Sequence, residues 1–220
     1  MFQQVPQSEE ILMQRANALA GMTLTNLANK CEFTLPNSVL HAKGWVGQLL
    51  EHALGATSGS KPQPDFPELS IELKSIPVTS QGTPKESTYI CVVQLSPYDQ
   101  ANWEQSLVRK KLSKVLWIPY EVNDKIPFAA RRIGTPILWQ ASTCELQQLK
   151  TDWQELSDLI VLGKLHMITA SIGKYLHIRP KAANAMSQTR DKNRLASENI
   201  TLPRGYYLRT SFTKQILQST

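Results

Sequence analysis

The stretch "KPQPDFPELSIELKSIPV", residues 61–78, sets two carboxylates and an amine close together: Asp65, Glu72 and Lys74. In an extended chain successive side chains point to opposite faces, so Glu72 and Lys74 share one face while Ile71 and Leu73 share the apolar other. A hard divalent cation such as Mg2+ takes one or two carboxylates together with waters and substrate phosphate oxygens. Asp65 and Glu72 could supply those if Pro64 and Pro67 hold Asp65 at a turn or strand edge and the chain folds back. An ammonium at Lys74 would orient an attacking water and offset the charge that develops on a phosphorane-like transition state. These are the components of phosphodiester hydrolysis. An exposed strand face carrying an ion pair would read the same way over so short a stretch.

The elements that must position this set form an α/β pattern. Ser8 followed by "EEILMQRANALAG" reads as a capped helix ending near Gly21, with "TLTNLANK" and "GWVGQLLEHALG" as two further helices. On the third helix Trp45, Val46, Leu49, Leu50, Ala53 and Leu54 form one apolar stripe, and its single acid, Glu51, stands opposite. "SIELKSI", "STYICVVQL" and "VLWIPYEV" read as consecutive strands of a largely antiparallel meander, a central sheet. "CELQQLKTDWQELSDLIVLGKLHMITASIG" carries helical periodicity throughout, "YLHIRP" and "GYYLRT" read as strands, and "SFTKQILQ" as a closing helix.

Composition narrows the class. The chain has 220 residues, 41% of them hydrophobic, enough for one large domain or two lobes around a cleft. Its three cysteines, Cys31, Cys91 and Cys144, are far apart and show neither a disulfide framework nor zinc spacing, which suits a reducing cytosol. The N-terminus "MFQQVPQSEE" lacks a basic-then-apolar signal pattern, and no run approaches the roughly 20 apolar residues of a membrane span. A cytoplasmic protein is the expectation. "GATSGSKP" at 55–62 has three residues between its glycines, an extra Ser60 before Lys61, and Pro62 where a magnesium-binding Ser or Thr belongs, so it is not a nucleotide-binding P-loop. His41, His52, His166 and His177 have no metal-ligand spacing.

The net charge of +6 is unevenly spread. Residues 171–220 hold Lys174, Arg179, Lys181, Arg190, Lys192, Arg194, Arg204, Arg209 and Lys214 against Asp191 and Glu198. A basic C-terminal quarter on a nearly neutral body is the footprint of a polyanion-binding surface, most often nucleic acid. Within it "IRPKAAN" couples two cations to a turn stiffened by proline, suited to reaching a groove, where Arg can pair bidentately with guanine O6 and N7. A loop that only contacts phosphates is the alternative. In "RGYYLR" alternation sends Tyr206 and Tyr207 to opposite faces, so one can be core and the other a recognition residue. In "SLVRKKLSKVLWI" the cations Arg109, Lys110, Lys111 and Lys114 precede a buried strand.

The order Pro64, Asp65, then Glu72-Leu73-Lys74 is similar to the PD...(D/E)xK signature of restriction-endonuclease-like nucleases, a loose pattern by itself. Four longer blocks, "AKGWVGQLLE", "DFPELSIELKSIPV", "YLHIRPKAANA" and "LPRGYYLR", resemble the MutH mismatch-repair endonucleases and the related restriction enzymes that cut GATC. The likeness runs from residue 42 to 209. It implies a restriction-endonuclease-like α/β fold, a central mixed or antiparallel sheet flanked by helices, as a single endonuclease domain. That domain would form two lobes around a DNA-binding cleft, approximately 1–105 and 106–220. It further implies a Mg2+-dependent nick 5′ to the G of the unmethylated strand at hemimethylated GATC in double-stranded DNA, with activation by MutL after MutS has found a mismatch. Mn2+ would substitute, and Ca2+ would support binding with poor cleavage, its coordination being longer and looser.

The resemblance assigns Asp65, Glu72 and Lys74 as the catalytic set, with the Leu73 backbone carbonyl as a further metal ligand. Glu51 would assist them, since a helix beside the sheet in this fold commonly presents an acid to the metal. Lys111 would lie near the scissile phosphate, Arg179, Pro180 and Lys181 would form a DNA-reading loop, Lys43 and Gly44 would approach the minor groove, and Tyr207 would sense adenine methylation. Should the strand face be reversed, Tyr206 takes that role. A type II restriction enzyme would share this chemistry while cutting both strands without a partner. A non-catalytic DNA-binding module would share only the basic quarter.

Overall fold

The computed structural model describes residues 4–36, 44–95, 102–181, 189–190, 200–201 and 203–219. They group into two compact units that interleave along the chain instead of meeting at one boundary near residue 105. One unit comprises Met1–Glu86, Ser113–Gln140 and Lys214–Thr220, the other Ser87–Leu112 and Ala141–Thr213.

In the first unit α1 (Glu9–Asn17), α2 (Leu24–Lys30) and α3 (Trp45–Leu54) begin as their sequences demand. The Ser8 and Thr23 side chains accept N–H groups of the first turns, from Ile11 and Asn26. Gly44, at φ 84°, starts α3 in a left-handed conformation that suits glycine. The three helices bury Leu12, Leu27, Leu49 and Leu50 together with Phe66, Ile71, Leu73, Leu116 and Ile118. The last four of these belong to or adjoin a sheet of order β1-β3-β4: β1 (Glu72–Val78), β3 (Lys114–Glu121) and β4 (Ile137–Gln140).

This is not a meander of consecutive strands. β1 runs parallel to β3, with Glu72 opposite Val115 and Lys74 opposite Trp117, and only β3 and β4 are antiparallel. Parallel pairing needs a long crossover, and here the chain between β1 and β3 supplies part of the second unit. β2 (Thr88–Val92) accordingly joins another sheet.

That sheet has the order β2-β8-β5, wholly antiparallel, with β5 (Leu176–Pro180) and β8 (Arg204–Leu208). Two-residue strands β6 (Thr189–Arg190) and β7 (Ile200–Thr201) pair with each other. α4 (Leu107–Lys111) and α5 (Thr143–Val161) belong to the same unit, and Ser142 with Glu145 closes a reciprocal capping box on α5. α5 ends well before the helical periodicity does. Gly163, at φ 68°, breaks it, and a 3-10 turn at Leu165–Met167 continues the apolar spacing. α6 (Thr210–Gln218) closes the chain, its Phe212 ring stacked 3.8 Å from that of Tyr175. Among the described residues no helix is long and apolar enough to cross a membrane.

Candidate active site and nucleic-acid interface

The segment before β1 turns back as its prolines suggest. Phe66 and Ile71 exchange both backbone hydrogen bonds, at 2.9 and 3.2 Å, around a 3-10 turn at Pro67–Leu69 that Ser70 closes at φ 55°. Continuing that antiparallel register by one residue sets Asp65 opposite Glu72. Both carboxylates are buried, Asp65 at 8% and Glu72 at 1% exposure. Asp65 Oδ2 accepts the Leu73 N–H at 2.8 Å, and Oδ1 accepts the Ser58 hydroxyl at 3.1 Å. Lys74 Nζ donates to Glu72 Oε1 at 2.6 Å. A buried carboxylate held by neutral donors thus stands opposite another that is paired with an ammonium.

Glu51 is half-buried on α3, whose apolar stripe faces the core as its wheel requires. A Cβ on Gly47, one turn earlier, would stand 3.9 Å from Glu51 Oε1 and 3.6 Å from the Ser75 hydroxyl of β1. Glu51 Oε1 and the Ser75 hydroxyl of β1 thus both lie beside the bare Cα of Gly47. Gly44 caps the start of the same helix, and Lys43 lies outside the described residues. Among the described residues no three His, Cys, Asp or Glu side chains form a metal-holding group. Two buried carboxylates on facing residues are the oxygen donors that Mg2+ takes from a protein, the rest being water and phosphate.

The second unit carries the basic and aromatic candidates. Register pairs His177 and Arg179 of β5 with Tyr207 and Gly205 of β8. Alternation puts these four on one face and Tyr206, 2% exposed, on the other. Tyr207 thus shares its face with Arg179, and Tyr206 is core. Arg179, Pro180 and Lys181 are exposed. Arg179 Nη1 donates to Ser87 Oγ at 3.3 Å. Lys111 ends α4, half-buried.

Tyr89 is a member of this face that sequence reasoning missed. It pairs with Tyr207 across β2 and β8, the two rings edge-on at 5.4 Å. Its hydroxyl accepts from Lys181 Nζ at 2.9 Å, and that ammonium lies 4.4 Å from the ring centroid. Gly205 makes room: a Cβ there would fall 2.9 Å from Tyr89 Cε2 and 3.0 Å from Tyr207 Cε2. The available signal was alternation in "STYICVV", which turns Tyr89 away from buried Ile90.

His177 ends the same row of side chains, edge-on to Tyr207 at 6.4 Å. Among the described residues neither ring nitrogen has a partner at hydrogen-bonding geometry. Burial first, then the Arg209 and Arg179 guanidiniums, push its pKa from 6.5 down to about 4, outweighing the nearby Ala170 carbonyl. It is a neutral imidazole at physiological pH.

A mixed sheet flanked by helices, with two buried carboxylates and Glu-x-Lys at its edge strand, is the architecture of a restriction-endonuclease-like enzyme. The model of the family described as DNA mismatch repair enzyme MutH matches residues 54–152. Proteins named DNA mismatch repair protein MutH align over nearly the whole chain. The one from Vibrio parahaemolyticus is 51% identical over 96% of this chain and 94% of its own. Those from Pectobacterium atrosepticum and Shewanella putrefaciens are each 49% identical over 96% of this chain, covering 92% and 95% of their own lengths. The chain belongs to the MutH family of DNA mismatch repair enzymes.

Proposed function

We propose that the protein is a Mg2+-dependent endonuclease that nicks the unmethylated strand 5′ to G at hemimethylated GATC sites, stimulated by MutL and, through it, by MutS. The hairpin that sets Asp65 opposite Glu72, with Lys74 on the same strand, carries this reading. Asp65, Glu72 and the Leu73 carbonyl are the residues that would hold the ion, and Glu51 would support them from α3. A bound Mg2+ supplies Lewis-acid polarisation of a phosphoryl oxygen and lowers the pKa of water, with Mn2+ as a substitute. The chain's own contribution is orientation and charge. Lys74 sits within 2.6 Å of Glu72, placed to steady the attacking water and to offset charge growing on the phosphate. Its effect is larger on the transition state than on bound substrate, so it raises turnover more than affinity.

In the other unit Arg179, Pro180 and Lys181 read and hold DNA, Tyr207 discriminates the methylation state, and Lys111 contacts phosphate. Lys43 and Gly44 would approach the minor groove. The test is supercoiled plasmid with and without GATC sites, incubated with protein and Mg2+. Open-circle DNA is expected before linear DNA, only on the GATC plasmid, and faster with MutL and ATP. Prompt linearisation without a helper would make the protein a restriction enzyme, and no cleavage under any condition would leave a DNA-binding module. Replacing Mg2+ with Ca2+ should preserve binding and suppress cleavage.

A further inference from the structure

Strand β5 is held at its base by two charged side chains that face opposite halves of one loop. Asp152 of α5, 2% exposed, accepts the N–H groups of three consecutive residues: Lys174 on Oδ1 at 2.9 Å, and Tyr175 and Leu176 on Oδ2 at 2.6 and 2.8 Å. Gln148 Nε2 adds a fourth bond to Oδ1 at 2.8 Å. Arg209, just past β8, donates to the carbonyls of the preceding residues: Ala170 at 2.6 Å, Ile172 at 2.9 Å and Gly173 at 2.8 Å. Gly173, the last of the carbonyl set, sits at φ 80°, where a Cβ would fall 1.9 Å from the Leu176 carbonyl oxygen. An anion thus takes the amides and a cation the carbonyls of a loop that only glycine can turn.

We propose that Asp152 and Arg209 are positioning residues for DNA specificity, a two-sided brace that fixes the angle at which β5 presents Arg179 to a base edge. The inference rests on the reading of Arg179 as a base-contacting residue. A buried carboxylate is a costly way to add stability, because its desolvation consumes most of what its hydrogen bonds return. What such a group does supply is direction. Its bonds to residues 174–176 fix the start of β5, and Arg179 stands three residues on, roughly 10 Å away at about 3.3 Å per residue. A small tilt at the base is magnified at that distance, and bidentate recognition tolerates only about 0.5 Å of misplacement.

The brace predicts a loss of discrimination with little change in general affinity. Arg209→Lys keeps the charge at a half-buried site and forfeits the fork that spans three carbonyls, and Asp152→Asn keeps shape while turning half of an acceptor into a donor. Dissociation constants for a GATC duplex and a scrambled duplex of equal length, measured in Ca2+, should show the ratio between them falling about tenfold in both variants. The salt slope on scrambled DNA should stay as in the wild type, since no phosphate contact is lost. Arg179→Ala is measured alongside. If it loses discrimination while Arg209→Lys and Asp152→Asn keep the wild-type ratio, or lose affinity equally for both duplexes, the brace is merely structural and the proposal fails. If Arg179→Ala itself keeps full discrimination, the reading beneath the proposal fails and the proposal with it.

Discussion

The carboxylate of Asp65 accepts a 2.8 Å hydrogen bond from the backbone N–H of Leu73, the residue between Glu72 and Lys74. One oxygen of the first acid is thereby tied to the backbone of the strand that carries the second acid and the amine. Asp65→Asn keeps an acceptor for that N–H, and Asp65→Ala strands it in a buried position, which costs about 1–3 kcal/mol. Both variants should fail to nick GATC plasmid, but Asp65→Asn should retain a near-wild-type Tm while Asp65→Ala melts several degrees lower. Wild-type nicking by either would remove Asp65 from the proposed metal site.

Lys74 and Glu72 tie the proposed catalysis to stability in the same way. Glu72 is 1% exposed and receives the ammonium at 2.6 Å, so Lys74→Ala takes a cation from a buried carboxylate. Nicking should fall roughly 100-fold or more, the usual cost of losing a preorganised charge-stabilising donor, while GATC binding in Ca2+ stays close to wild type. In EDTA the variant should melt lower than the wild type, and Mg2+ should raise its Tm by more, because the ion then replaces the missing charge. Equal Mg2+-induced shifts in the two proteins would show that the ion does not bind beside Glu72.

The parts of the fold that local chemistry dictates are the parts legible in the sequence. Ser8 announces its helix, the stripe from Trp45 to Leu54 is buried as its wheel requires, and Pro64 and Pro67 mark the turn that puts Asp65 opposite Glu72. Pairing across distance is not legible. Nothing near Glu72 says that it will stand opposite Val115 in a parallel pair while β2 leaves for another sheet. β4 is only four residues long, too short for period-two alternation to stand out. Tyr89 lay hidden for a related reason, because its partners Tyr207 and Lys181 are more than 90 residues away.

Face distinguishes the two tyrosines that could carry the proposed methylation sensing. An N6-methyl group on adenine adds bulk at the major-groove edge and removes one donor hydrogen. Tyr207 lies on the face of Arg179 and Tyr206 is buried behind it. Tyr207→Ala should therefore nick fully methylated and unmethylated GATC duplexes at more nearly equal rates, and Tyr206→Phe should keep the wild-type preference. Tyr89→Phe is a control on the neighbouring ring: it preserves the edge-on packing and loses only the hydroxyl that accepts from Lys181. Full discrimination by Tyr207→Ala would place the sensor elsewhere.

His177 makes the second unit sensitive to acid. Its pKa is about 4 in the folded protein, against 6.5 for an ordinary imidazole, through burial and the two guanidiniums of Arg209 and Arg179. Between those values the unfolded chain binds a proton that the folded protein refuses. The unfolded state therefore gains as pH falls, and stability is full above pH 6.5 and lost progressively toward pH 4. The loss attributable to this group is on the order of 1–3 kcal/mol. His177→Gln has no proton to gain, so urea denaturation of the two proteins between pH 7 and pH 4 should diverge: the wild-type midpoint should drop more steeply, and the difference should build up mainly below about pH 6.5. Parallel pH profiles would mean that His177 accepts its proton without unfolding, through an arrangement that turns the ring away from both arginines.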